Sequence, residues 1–251
     1  MRIAVIPDTQ MKPGIDQTYL RAIGNYLVKK KPDIIVHIGD HWDMPSLSSY
    51  DFGKKSFEGR RYAHDVAAGN EGFYTLNEPI YAETNRLHRN KKAVWNPKKY
   101  FLIGNHEQRI ERAVNSDPKL EGTMGYHDLD FLDYEVVPFL ETKIIEGVAF
   151  SHYFTTGLAG RPAATANAQL NKQHMSCIAG HQQGLQIATG KRGDGALLTS
   201  VIAGSCYAHE EAYLGAQGNK HWRGLLLLNN VADGQFDLMP VPLQYLMEKY
   251  V

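Results

Sequence analysis

Asp8, Asp40, Asn105, His106, His152 and His181 are residue types that bind metal ions or move protons, and each stands close behind a short apolar run. Gln10 and Gln183 follow two residues after Asp8 and His181. Singly, each carries little information, because an Asp after a strand or a Gly-His pair is common. Jointly they carry more: where strands of an α/β sheet end side by side, the groups at their carboxyl ends meet in one crevice. Two carboxylates, one amide and two or three imidazoles gathered there form a metal site.

The elements that must position these groups follow from periodicity and turn signals. Ile3 to Ile6 and Asp33 to Ile38 read as buried strands. Between them Leu20, Ile23 and Leu27 recur at helical spacing, which predicts a helix over Gln17 to Lys30, capped by Asp16 and stopped by Pro32. This β-α-β unit implies a parallel pair. Lys99 to Ile103 is a third strand, followed by a helix over Glu107 to Asn115. Tyr62 to Asn90 reads as mostly helical with breaks at Gly69, Gly72 and Pro79, inside an inserted region of about 41–98. Thr142 to Phe150 reads as one or two strands, Arg161 to His174 as an Ala-rich helix, and Cys177 to Ala179 as a strand. Leu185 to Thr189, Ala196 to Ala203, Trp222 to Leu228 and Gln235 to Val241 are strands separated by turns such as Asp194-Gly195 and Asp233-Gly234, so the last third reads as antiparallel. The expected architecture is α/β: one domain over 1–251, a two-sheet mixed β-sandwich flanked by helices, with a helical insertion.

Composition narrows the classes. A chain of 251 residues can bury roughly 70–75% of its unfolded surface. Lys plus Arg balances Asp plus Glu at 27 each, so no bulk field draws the protein to nucleic acid or an anionic membrane, and any phosphate binding must be local. The two cysteines, Cys177 and Cys206, lack zinc or redox-pair spacing and fit a reducing compartment. The apolar runs Ile3 to Ile6 and Leu225 to Leu228 are too short for a signal peptide or a membrane span. A soluble cytoplasmic protein with no membrane partner is expected. The Gly-x4-Gly-Lys-Ser/Thr phosphate loop is absent, which excludes that class of nucleotide triphosphatase.

In chain order, Asp8-Thr9-Gln10, Gly39-Asp40, Gly104-Asn105-His106-Glu107, Ser151-His152 and Gly180-His181-Gln182-Gln183 resemble the motifs of the calcineurin-like metallophosphoesterases: Asp-x-His, Gly-Asp, Gly-Asn-His-Asp/Glu, a lone His and Gly-His-x-His. The resemblance covers nearly the whole chain and implies a sandwich that holds two divalent cations, Mn²⁺ foremost, with Mg²⁺, Zn²⁺, iron or Ca²⁺ as alternatives. It implies that Asp40 bridges the two, that Asn105, His152 and His181 complete the second site, and that Asp8 belongs to the first. There Gln10 and Gln183 stand where the family has histidines. A first site built of oxygen donors alone suits hard ions and is expected to be the weaker. The resemblance further implies that the ions activate a water for attack on phosphorus, while His106 stabilises the phosphoryl group and protonates the leaving oxygen. Asp43, three residues after Asp40, has the offset of the residue that orients this histidine in the protein phosphatases.

The ending Gly-His-x-Gln is similar to the nuclease and phosphodiesterase branch, and Met44 replaces the Arg that follows the second motif in protein phosphatases. The expected substrate is therefore a phosphodiester, in DNA, RNA or a nucleotide. A phosphomonoesterase remains an alternative, as does a non-catalytic binding module, for which Gln10 and Gln183 are the evidence. Among lesser candidates, Arg109, one helical turn beyond His106, could reach a phosphate but reads rather as a solvated helix residue paired with Glu107 or Glu111, and His37 as a hydrogen-bonded core histidine. His64, His88 and His174 read as surface residues. Tyr207 and His209 lie where a loop could approach substrate. Lys54-Lys55 and Arg60-Arg61, interleaved with Tyr50, Phe52, Phe57 and Tyr62, form a basic aromatic cluster read as a solvated loop.

Overall fold

The computed structural model describes residues 1–211 and 214–251. Its first half runs β1 (Ile3–Ile6), α1 (Thr18–Lys30), β2 (Ile34–His37), α2 (Tyr62–Arg89), β3 (Lys98–Leu102), α3 (Gln108–Ser116) and β4 (Glu135–Val137). A hairpin of β5 (Lys143–Ile145) and β6 (Val148–Phe150) follows, then the short pair β7 (Thr155–Thr156) and β8 (Arg161–Pro162), α4 (Ala166–Gln173) and β9 (Cys177–Ala179). The chain ends with β10 (Gln186–Lys191), β11 (Leu197–Ile202), α5 (Gly215–Gly218), β12 (Gly224–Ala232), β13 (Gln235–Pro242) and α6 (Leu243–Tyr250).

Two mixed sheets form the sandwich. One has the order β13-β12-β1-β2-β3-β4 and the other β10-β11-β9-β6-β5. Strands β1, β2, β3 and β4 run parallel to one another, the β1–β2 pair as the β-α-β reading predicts, and β12 closes antiparallel onto β1. Strand alternation sorts the side chains. Ile3, Val5, Val36 and Ile38 face Val148, Phe150, Ile178 and Val201 between the sheets. Ala4, Ile6 and Ile35 face a helical layer that includes Tyr19, Leu20 and Ile23 of α1, Phe73, Leu76 and Ile80 of α2 and Leu246 of α6. On the outer face of the second sheet, Gln169 of α4 donates to the carbonyls of Cys177 and Val201.

Three expected boundaries change. Helix α1 begins at Thr18, because Asp16 accepts from the Thr18 backbone N–H and hydroxyl and so closes a turn ahead of the helix. Helix α2 is continuous through Gly69, Gly72 and Pro79. The two glycines are close approaches: a Cβ on Gly69 would collide with the Trp42 ring, and one on Gly72 with Met11. Through this helix the 41–98 region contributes to the main core. Helix α4 starts at Ala166, where the Thr165 hydroxyl accepts from the Ala168 N–H, while Arg161 and Pro162 pair as a strand with β7. Edge strand β4 and helix α6 carry sequence signals too short to have been read from periodicity.

Candidate metal and catalytic centre

The carboxyl ends of β1, β2 and β3 in one sheet and of β6 and β9 in the other meet at one end of the sandwich. His152 Nδ1 lies 2.7 Å from the Ile38 carbonyl, and the His181 backbone N–H donates to Asp8 Oδ1 at 3.2 Å. Asp8, Gln10, Asp40 and His181 all have left-handed backbones, with φ of 27°, 44°, 51° and 66°. Such strain in non-glycine residues persists only where the surroundings over-determine it, and it clusters at functional sites. The chain turns sharply at each strand end and aims these side chains inward.

At the centre is Asp40. Its Oδ1 accepts from the His106 backbone N–H at 2.9 Å, and its Oδ2 lies 3.4 Å from His152 Nε2 and 3.7 Å from His106 Nε2. Asn105 Oδ1 lies 2.9 Å from His152 Nε2 and 2.6 Å from His181 Nδ1. One ligand atom each from Asp40, His152 and His181 falls within a 4.8 Å cluster. Asp8 Oδ2 and Gln10 Oε1 are buried without a hydrogen-bond partner. Gln183 Oε1 accepts from the Tyr207 hydroxyl at 3.2 Å.

These groups suit a cation. The Ile38 carbonyl can only accept, so the Nδ1 of His152 carries a proton and, in the neutral ring, its Nε2 points a lone pair at Asn105 Oδ1 and Asp40 Oδ2. Acceptors facing one another, with two orphaned oxygens beside them, are what a divalent ion would reconcile. Burial, followed by the charge of Asp40, drives the Asp8 carboxyl well above its usual range. Burial opposes the charge of Asp40 as well, but His106 and His152 outweigh it and hold that carboxyl low. His152, disfavoured by burial, is lifted by Asp40 to about 9, while His181, buried beside it, falls to about 4.

Glu107, the last residue of Gly-Asn-His-Glu, takes its role from its geometry. Fully buried, its Oε2 accepts from the N–H groups of Asp40 and Gly104 at 2.9 Å, and its Oε1 from those of His41 at 2.7 Å and Trp42 at 2.9 Å. Burial, and then Asp40, push this carboxyl up to about 7. Glycine at position 104 is required because a Cβ there would collide with the Asp40 carboxylate and with Glu107. The helix behind Gly-Asn-His-Glu thus clamps the loop that carries Asp40.

His106 Nδ1 lies 2.7 Å from Asp43 Oδ1, a close contact off the ring's N–H axis. Asp43 also meets Lys12 Nζ at 3.1 Å, and Lys12 in turn reaches Glu211 at 2.5 Å. Burial of Asp43 is outweighed by His106, Lys12 and Arg109, which hold its carboxyl below the usual range. Arg109 is neither solvated nor paired with Glu107 or Glu111 as expected. Its guanidinium donates to the carbonyls of Asp43 and Met44 at 2.6 and 3.3 Å, because α3 lies directly over that turn.

The remaining candidates fall outside the cluster. Tyr207 is buried and reaches it only through Gln183, and His209 pairs with Glu211 at 2.8 Å. His37 is a fully buried core residue stacked on Phe101, Trp42 is fully buried, and His64, His88 and His174 are exposed. In the basic aromatic segment Tyr50 and Phe52 are exposed, while Lys54 and Arg60 both pair with Asp51.

Residues 1–158 match the family described as calcineurin-like phosphoesterase. The chain is 28% identical over 255 residues to the Gene 54 protein of Mycobacterium phage L5, covering 96% of this chain and 93% of that protein. It is 30% identical over 108 residues to the Gene 54 protein of Mycobacterium phage D29, covering 43% of this chain and 36% of the relative. No helix among the described residues is long and apolar enough to cross a membrane.

Proposed function

The chain belongs to the calcineurin-like phosphoesterase family, whose chemistry is metal-dependent phosphoester hydrolysis, and from that premise we propose that it cleaves a phosphodiester, in nucleic acid or a nucleotide, where the five strand ends converge. The observation that carries this reading is the buried cluster of Asp8, Gln10, Asp40, Asn105, His152 and His181, with its orphaned oxygens and opposed acceptors. In this reading Asp40 would be shared between two cations, Asn105, His152 and His181 would hold one, and Asp8, Gln10 and Gln183 would hold the other. The site of Asp8, Gln10 and Gln183 offers oxygen donors only and would bind the more weakly, with Mn²⁺ the preferred ion for the pair. Bound there, divalent cations supply Lewis acidity, which polarises the phosphoryl oxygens and acidifies the attacking water.

The protein's own groups do the rest. Asp43 holds the Nδ1 side of the His106 ring, so that Nε2 faces Asp40 Oδ2 across 3.7 Å. From that position Nε2 holds the proton that passes to the leaving alkoxide. Glu107 keeps the Asp40 loop rigid through its four backbone N–H bonds. Support for a diester comes from the two cations that touch Asp43. Lys12 is held between Asp43 and Glu211, and Arg109 is turned onto backbone carbonyls, so neither is free to grip the extra charge of a terminal phosphate.

Hydrolysis of bis(p-nitrophenyl) phosphate against p-nitrophenyl phosphate, in Mn²⁺, in Mg²⁺ and after chelation, tests the reading. We expect Mn²⁺-dependent diester cleavage that falls about 10²-fold or more in His106→Ala. A preference for the monoester would overturn the substrate class. Inactivity in every metal would mark the chain as a binding module in which Gln10 and Gln183 ended catalysis.

A further inference from the structure

Behind the cluster lies a second polar assembly that plays no part in the chemistry above. Thr9, His37 and His41 are all fully buried. Thr9 Oγ1 lies 3.0 Å from His37 Nε2 and 2.7 Å from His41 Nδ1. The outer ends of the chain are backbone groups: the Gly39 N–H stands 3.2 Å from His37 Nδ1, and His41 Nε2 stands 2.9 Å from the Gly69 carbonyl of α2.

Those two ends set the direction of every bond. An amide N–H can only donate, so His37 Nδ1 is bare and its proton sits on Nε2. A carbonyl can only accept, so His41 carries its proton on Nε2 and, as a neutral ring, presents a bare Nδ1. The Thr9 hydroxyl must then donate to His41 and accept from His37. With both His41 nitrogens protonated, the Thr9 hydroxyl would have no acceptor for its hydrogen. No other arrangement of the protons satisfies all the groups.

We propose that this directional chain, Gly39 to His37 to Thr9 to His41 to Gly69, is a positioning device that fixes the Asp8 and Asp40 carboxylates relative to each other for metal binding. Thr9 stands between Asp8 and Gln10, and His41 directly follows Asp40, so both left-handed turns are pinned from behind. Backbone bonds already lay the two loops side by side, from Gln10 N–H to the Asp40 carbonyl at 2.9 Å and from Met11 N–H to the His41 carbonyl at 2.6 Å. The Tyr19 hydroxyl of α1 holds the Thr9 carbonyl at 2.6 Å. The hydroxyl of Thr9 adds a side-chain link between the loops that also reaches β2 and α2. Valine at this position keeps the shape but leaves a buried ring N–H and a bare ring nitrogen without partners.

The inference rests on the metal reading of the cluster, and its test separates the two. Mn²⁺ affinity is measured by calorimetry on the full chain, unaltered and as Thr9→Val and Thr9→Ser, and the ring tautomers are read by ¹⁵N NMR of the histidine-labelled, unaltered protein. We expect Thr9→Val to weaken Mn²⁺ binding about tenfold or more and Thr9→Ser to restore it to within about threefold, the scale of outer-shell effects at metal sites. His37 and His41 should both be Nε2–H tautomers. Either ring found as the Nδ1–H tautomer overturns the directional chain, and that result stands even if Thr9→Val does not fold. Wild-type affinity in folded Thr9→Val overturns the positioning role alone. Failure of the unaltered chain to bind Mn²⁺ overturns the metal reading itself.

Discussion

At the scale of single residues, the site contains two kinds of polar group that sequence cannot tell apart: those that face the reaction and those that hold the facing groups in place. Asp40 and Glu107 are both buried carboxylates, yet Asp40 points into the acceptor cluster and Glu107 away from it, into backbone N–H groups. Substituting Glu107→Gln replaces one oxygen by an NH₂ that confronts two N–H donors. We expect urea unfolding to show a loss of about 2–4 kcal/mol, the cost of leaving buried donors unpaired. A loss within about 0.5 kcal/mol, the range of ordinary surface substitutions, would contradict the clamp. Arg109 teaches the same lesson. One helical turn beyond His106 it has the spacing of a phosphate ligand or a solvated helix residue, and its actual partners, the carbonyls of Asp43 and Met44, are set by a turn sixty-odd residues earlier in the chain.

Among the elements, strands that carry site residues were the most legible, because β1, β2, β6 and β9 are short, fully buried and mostly apolar runs whose ends are marked by a polar motif. Helices were less so. Gly69 and Gly72 carry a breaker's propensity, and tertiary contact overrides it: their missing side chains admit Trp42 and Met11 to the surface of α2. Gly69→Ala should therefore destabilise, by about 1–3 kcal/mol in thermal or urea unfolding, although alanine is the better helix former. A stabilised variant would mean that the Trp42 contact does not constrain the helix. The start of α4 departs from the composition for a related reason: Ala-rich composition marks helical tendency, but the Thr165 hydroxyl decides where the helix begins.

For the molecule as a whole, burying titratable groups beside the site couples stability to pH. His41 is neutral in the fold, pushed to about 4, whereas an unfolded histidine titrates near about 6.5. Between those values the unfolded chain binds the extra proton, so this ring's contribution is at its full value above about pH 6.5 and declines by up to about 1.4 kcal/mol per pH unit as pH falls toward 4. Glu107, raised to about 7, slopes the opposite way. The contribution of His41 is isolated by comparing wild type with His41→Gln: between pH 7.5 and 4.5 wild type should lose stability relative to the variant, and parallel curves would show that the ring is not held neutral.

By itself the sequence determined the parallel pairing of β1 and β2, the polar residues at five strand ends and the family they spell, because these depend on local apolar runs and on motifs a few residues long. Only the tertiary structure decided which side of each motif faces the cluster, that Glu107 and Arg109 bind backbone, and that Thr9, His37 and His41 join behind it. Their partners come from distant segments, and hydrogen-bond direction depends on coordinates in three dimensions, which no spacing along the chain encodes.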